Sequence, residues 1–244
     1  MTSNSRPSAF PPRWRADAVV QRPPLPSVSA PSQPALPVVE TFHSLQGEGL
    51  HAGRSAFFLR LAGCAVGCSW CDTRHSWERR DHALRPLAEL AEELAAAAAA
   101  GAAFAVITGG EPLEHDLGPL CEALEGARGG LPLHVETSGA APLELSGRFA
   151  WITLSPKRHR PPSAELLAAC DELKVVVHEP ADLAFAEAMA TRALAARSEV
   201  APTPALLLQP GWNCRRGQDL AVDYVRAHPA WRLSLQNHKW LGVR

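Results

Sequence analysis

Cys64, Cys68 and Cys71 place three thiols within eight residues, with Gly63 and Gly67 beside them. Such a loop can curl its sulfurs toward one point. A disulfide would leave one thiol unpaired, and disulfides are disfavoured in a reducing compartment. A structural zinc wants a fourth Cys or His, for which His75 is close in the chain. A loop with incidental cysteines is the plainest alternative. The sharpest is a [4Fe-4S] cluster held by three thiolates, whose fourth iron stays open to a substrate or cofactor. Cys121, in an expected helix, and Cys170, at the end of one, read as buried thiols, and Cys214 as structural.

Polar motifs recur at the ends of short apolar runs: Thr108-Gly109-Gly110-Glu111-Pro112, Glu136-Thr137-Ser138-Gly139, Ser155-Pro156-Lys157, Gln209-Pro210 and Gln236-Asn237-His238-Lys239. The runs themselves predict strands at 56–61, 104–107, 133–136, 151–154, 173–177, 206–209 and 232–235. Helices are expected at 86–100, 116–128, 163–169, 181–197 and 219–227. Pro86 suits a first helical turn, Gly101 a stop, and Leu87, Leu90 and Leu94 make one apolar stripe. Alternating strands and helices point to an α/β fold, an incomplete, TIM-like parallel β/α barrel of about six or seven strands. In that fold the strand ends meet on one face, so five motifs together imply a pocket.

Composition sets the limits. Nine of the 22 prolines lie in residues 1–37, with four arginines against one aspartate, so this stretch reads as a disordered proline-rich extension. Residues 38–244 then remain for a single core domain, which the family resemblance below implies is the catalytic one. That domain carries 20 basic and 24 acidic side chains, which argues against a general nucleic-acid-binding surface. Apolar runs fall short of the roughly 18 residues a membrane span needs, and no secretory signal pattern opens the chain, so no membrane partner and a cytoplasmic location are expected.

The cysteine spacing, with Gly109-Gly110-Glu111-Pro112 after the following strand, resembles the radical S-adenosylmethionine superfamily. That resemblance implies a [4Fe-4S] cluster on Cys64, Cys68 and Cys71, with S-adenosylmethionine chelating the open iron and reductively cleaved to a 5'-deoxyadenosyl radical. The segment from Phe42 to Gly49, together with Phe57-Phe58-Leu59-Arg60, Cys71-Asp72-Thr73 and the strand-end motifs, is similar to the 7-carboxy-7-deazaguanine synthase family over roughly residues 38–244. The family likeness implies a lyase of queuosine and other 7-deazapurine biosynthesis. It contracts the ring of 6-carboxy-5,6,7,8-tetrahydropterin with loss of ammonia, using Mg2+, an unidentified electron donor and a homodimer. An activase that takes hydrogen from a partner protein is the alternative; it would share the cysteine loop but would not need Gln46, Gly47 or Thr73.

Residue by residue, the resemblance assigns Trp70, Cys71, Asp72, Gly110, Ser138, Ser155, Pro156, Lys157 and Gln209 to S-adenosylmethionine. Leu45, Gln46, Gly47, Arg60, Thr108 and Arg244 are assigned to the substrate, Arg60 as a carboxylate clamp and Arg244 through its α-carboxylate. Thr73 would offer Mg2+ an oxygen. Glu48 is expected to order the entrance without touching substrate. Of 24 basic residues only Lys157, Lys174 and Lys239 are lysines; Lys157 is expected at the cofactor, Lys174 in a structural or supporting role.

Overall fold

The chain is described as a computed structural model for residues 33–141, 147–198 and 200–244. Strand β1 (Ala35–Leu45) pairs antiparallel with β2 (Ser55–Leu61) and, at its start, with the short β3 (Leu84–Pro86). From β2 the sheet continues in parallel through β4 (Phe104–Gly109), β5 (Leu133–Thr137), β6 (Trp151–Leu154), β7 (Glu172–Val177), β8 (Ala205–Pro210) and β9 (Trp231–Leu233). These seven parallel strands are the expected partial barrel, in the expected order.

Helices α1 (Leu87–Ala99), α2 (Gly118–Glu125), α3 (Ala164–Ala169), α4 (Pro180–Ala195) and α5 (Arg215–Ala227) connect them, and α6 (Asn237–Leu241) follows β9. Leu87, Leu90 and Leu94 of α1 pack with Leu59, Leu61 and Ile107, as the stripe requires. Gly101 adopts a φ of 101° just past α1, where a side chain would be strained. Pro180 opens α4, and the Asp182 carboxylate accepts from the amides of His178 and Glu179.

Along each strand alternate side chains take opposite faces. Leu59, Ile107, Val135, Leu154, Val175 and Leu208 are buried among residues of two core clusters under the helices. Their neighbours Arg60, Thr108, Glu136, Thr153, Lys174 and Gln209 face the barrel interior and line its cavity. Charge inside a sheet buried on both faces therefore marks the site.

Two expectations change. The composition places the boundary of the extension after Pro37, but β1 already begins at Ala35, and Ala35, Leu36 and Pro37 pair with Pro86, Arg85 and Leu84. A proline is tolerated there because the edge ladder is three residues long and a register shift follows at Val38. The remainder of the extension, residues 1–32, lies outside the described residues. The last strand is Trp231–Leu233 rather than 232–235, and the chain then turns into α6, closed by Gly242 at φ 66°. No helix among the described residues is long and apolar enough to cross a membrane.

Candidate active site

A cavity of about 560 Å³ opens at the C-terminal ends of the parallel strands. Cys64, Cys68 and Cys71 lie on its wall, all as free thiols. Burial pushes the thiols of Cys64 and Cys68 upward, so a metal must displace a proton to bind them. Backbone bonds hold the loop: Cys71 N donates to Cys68 O at 3.2 Å and Cys64 N to Trp77 O at 3.2 Å.

Gly109 and Gly110 are required by this loop rather than by a ligand alone. A Cβ on Gly110 would stand 2.0 Å from Gly63 O and 3.0 Å from Cys64 Cβ, and Gly109 sits at φ 131° against Leu61. Gly110→Ala is expected to displace the cysteine loop and lower iron content at least severalfold, read by iron and sulfide analysis. Glu111 fastens the same turn to the next strand end. Its buried carboxylate accepts from Thr137 Oγ1 at 2.5 Å, from Ser138 N at 2.9 Å and from Ser138 Oγ.

The opposite wall comes from the β1–β2 connection. Gln46 Nε2 donates to Glu136 Oε1 at 2.9 Å, and Thr108 Oγ1 lies 3.5 Å from Glu136 Oε2. Gly47 packs so closely on His238 that a Cβ would meet its Nδ1 at 2.1 Å. Glu48 reaches the cavity floor, accepting from Lys174 Nζ at 2.6 Å, Gln209 Nε2 at 3.0 Å and Gln236 Nε2 at 2.8 Å. One carboxylate thus ties the entry loop to β7, β8 and the segment after β9.

All the residues assigned to iron, cofactor, substrate and metal line this cavity except Pro156, which is buried beside it. Leu45, Gln209 and Thr73 are in the lining, with the Thr73 hydroxyl 3.6 Å from Cys71 Sγ. Trp70 is partly exposed, with its ring centroid 5.7 Å from His159 and 5.2 Å from His178. Several side chains already have protein partners: Arg60 Nε meets Glu40 Oε1 at 3.0 Å, Asp72 Oδ2 meets Lys239 Nζ at 2.5 Å, and Lys157 Nζ donates to Ser155 Oγ at 2.8 Å. Arg244 pairs with Glu40 at 3.1 Å, and a main-chain oxygen of Arg244 accepts from Ser44 Oγ at 2.6 Å.

Three thiols on one wall, beside a glycine turn packed to contact distance, fit a cluster in which each thiolate takes its own iron. Among the described residues no three His, Cys, Asp or Glu side chains are gathered closely enough to hold a single metal ion. Cys121 and Cys170 are buried in the helix layer, and Cys214 Sγ accepts from Gly217 N at 3.3 Å at the start of α5.

Residues 59–155 match the Radical SAM superfamily. The chain is 52% identical over 222 residues to a 7-carboxy-7-deazaguanine synthase of Prochlorococcus marinus, covering 85% of this chain and 98% of that protein. The chain belongs to the 7-carboxy-7-deazaguanine synthase family. The synthase of Escherichia coli K12 is 35% identical, over 85% of this chain and 98% of its own. A crystal structure of QueE from Escherichia coli superposes with a TM-score of 0.67 at 31% identity, covering 84% of this chain and 95% of that one.

The cavity lining also holds Glu136 and His238, to which no site role was given, beside Glu48, expected to order the entrance, and Lys174, expected in a structural or supporting role. Lys174 could have pointed to its partner. A lysine between Leu173 and Val175, in a strand buried on both faces, demands an opposite charge nearby.

Proposed function

We propose that this chain converts 6-carboxy-5,6,7,8-tetrahydropterin into 7-carboxy-7-deazaguanine and ammonia in queuosine and related 7-deazapurine biosynthesis. The observation that carries the reading is one cavity holding the three cysteines and the ligand loops together, in a chain 52% identical to a synthase of that name. Loss of ammonia balances the conversion, so no external oxidant is consumed. A [4Fe-4S] cluster with S-adenosylmethionine, held at Cys64, Cys68 and Cys71, would supply hydrogen-atom abstraction.

The chain's own groups bind and orient. Gln46, Thr108 and Glu136 form a linked polar edge that offers donors and acceptors to the aminopyrimidinone. Arg60 and Arg244 share Glu40, and a substrate carboxylate entering beside them would compete for the same guanidinium donors. Trp70, Asp72, Ser138, Ser155 and Lys157 are the groups proposed to hold S-adenosylmethionine. Reduction calls for a one-electron donor, and the family reading adds a homodimer in a reducing cytoplasm.

Anaerobic incubation with the carboxytetrahydropterin, S-adenosylmethionine, magnesium and dithionite tests the reading. The expected product has the substrate mass less that of ammonia, with S-adenosylmethionine regenerated rather than consumed once per turnover. Cofactor cleavage with the pterin untouched would instead favour an activase. Thr73→Ala should weaken the magnesium dependence of turnover about tenfold while iron content stays near wild type, because the cavity loses one hard oxygen ligand for the ion. Equal magnesium response in the two proteins would remove that role.

A further inference from the structure

We propose that Trp77 is a positioning residue that raises the reduction potential of the cluster by donating its indole N–H to Cys71. The inference rests on Cys64, Cys68 and Cys71 being the cluster ligands. Trp77 Nε1 lies 3.3 Å from Cys71 Sγ, within reach for a hydrogen bond to sulfur. An indole nitrogen can only donate, so the direction of this bond is fixed.

The geometry is held from several sides. Trp77 O accepts from Cys64 N at 3.2 Å, so one residue touches both ends of the cysteine loop. Trp77 N donates to Arg74 O at 3.1 Å, and the Arg74 guanidinium stands 5.6 Å from the centre of the Trp77 ring. Ser76 beside it is fully buried; its hydroxyl donates to Thr73 O at 2.7 Å and its carbonyl accepts from Gly63 N at 2.7 Å. The ring is therefore seated before any cluster arrives.

The contact at Cys68 is longer: His159 Nε2 is 4.0 Å from its Sγ and lies closer, at 3.0 Å, to Val66 O. An N–H dipole aimed at a ligating thiolate favours the more negative, reduced cluster, and hydrogen bonds to sulfur are among the levers that set such potentials. One electron enters from a one-electron reductant, and the indole proton stays on nitrogen.

The test reconstitutes wild type and Trp77→Phe anaerobically, measures iron and sulfide per chain, and titrates each with dithionite and mediators while the reduced-cluster EPR signal is followed. Equal iron content with a lower midpoint is expected in the variant, about tenfold in the reduction equilibrium, or about 59 mV for one electron. An unchanged midpoint at equal iron content overturns the proposal. Wild type carrying nitrogen-15 in its tryptophan indoles gives a second reading that does not depend on the variant's assembly. Pulsed EPR of its reduced cluster should show a nitrogen-15 coupling that persists in labelled Trp70→Phe, and absence of that coupling also overturns the proposal. Wild type that binds no iron under these conditions removes the cofactor reading itself, and this inference with it.

Discussion

Alanine at Cys64, Cys68 or Cys71 is expected to reduce turnover to background and to leave a chain that no longer assembles an intact [4Fe-4S] cluster. Each thiolate would supply one iron's only protein bond, so no neighbouring group can share its task. Cys121→Ala and Cys170→Ala are the internal controls. Both thiols are buried among helix residues, and burial pushes each up to about 11, which keeps them protonated and poor ligands. Those variants should lose about 1 kcal/mol of stability through packing and keep wild-type iron content. Iron and sulfide analysis with reduced-state EPR decides the matter. Normal turnover by a Cys68 variant with no restored thiolate would sink the assignment.

The parallel frame was legible because its strands are short and rich in leucine and β-branched residues, and because glycine and polar turns punctuate their ends. Leu173, Val175 and Val177 say strand by composition alone. β1 was harder to see. Glu40, Thr41, His43 and Ser44 dilute its apolar content, and Pro34 and Pro37 extend the texture of the proline-rich residues before it. Its identity comes from pairing with β2 and β3, which is a long-range fact. Helix α6 is five residues long and has no periodicity to read.

The site divides in the same way. Cysteine spacing and strand-end motifs are local, so Cys64, Gly110 and Lys157 could be found from the chain. Partnership is not local. Glu48 meets Lys174 across 126 positions of sequence and Gln236 across 188. Gly110 was assigned to the cofactor by resemblance, whereas its hydrogen is also what lets the backbone of the cysteine loop pass at contact distance. Pro156 travelled with its motif but is buried outside the cavity lining.

Replacing Lys174 with methionine is expected to cost about 3–5 kcal/mol, because it strands the Glu48 carboxylate in the barrel interior without its counter-charge. Burial by itself opposes ionisation of Glu48, but the Lys174 charge and hydrogen bond, with those of Gln236 and Gln209, hold it at about 2. Burial likewise opposes the Lys174 ammonium, and Glu48, Glu136 and Glu172 more than reverse that, raising it above its ordinary 10.5. The signs give a pH window. Glu48 stabilises the fold above its ordinary 4.5 and loses that contribution as pH falls toward 2; Lys174 contributes below 10.5 and loses it only as pH rises beyond. His134 acts earlier on the acid side. Burial, helped by His51 and Arg54, lowers it from 6.5 to about 4, so the unfolded chain takes up its proton first and stability declines across that interval. Wild-type stability should therefore be level from about pH 7 to 10 with respect to these groups, and fall in two steps on acidification, with His134→Gln reducing the upper one, to which His51, His115 and His238, also lowered by burial, contribute. Adding Glu48→Gln to Lys174→Met should restore part of the loss, since glutamine removes the stranded charge and keeps one oxygen for either Gln209 or Gln236, which bond separate oxygens of Glu48. Urea unfolding of the single and double variants reads the coupling directly, and a Lys174→Met cost below about 1 kcal/mol would show that Glu48 does not need its lysine.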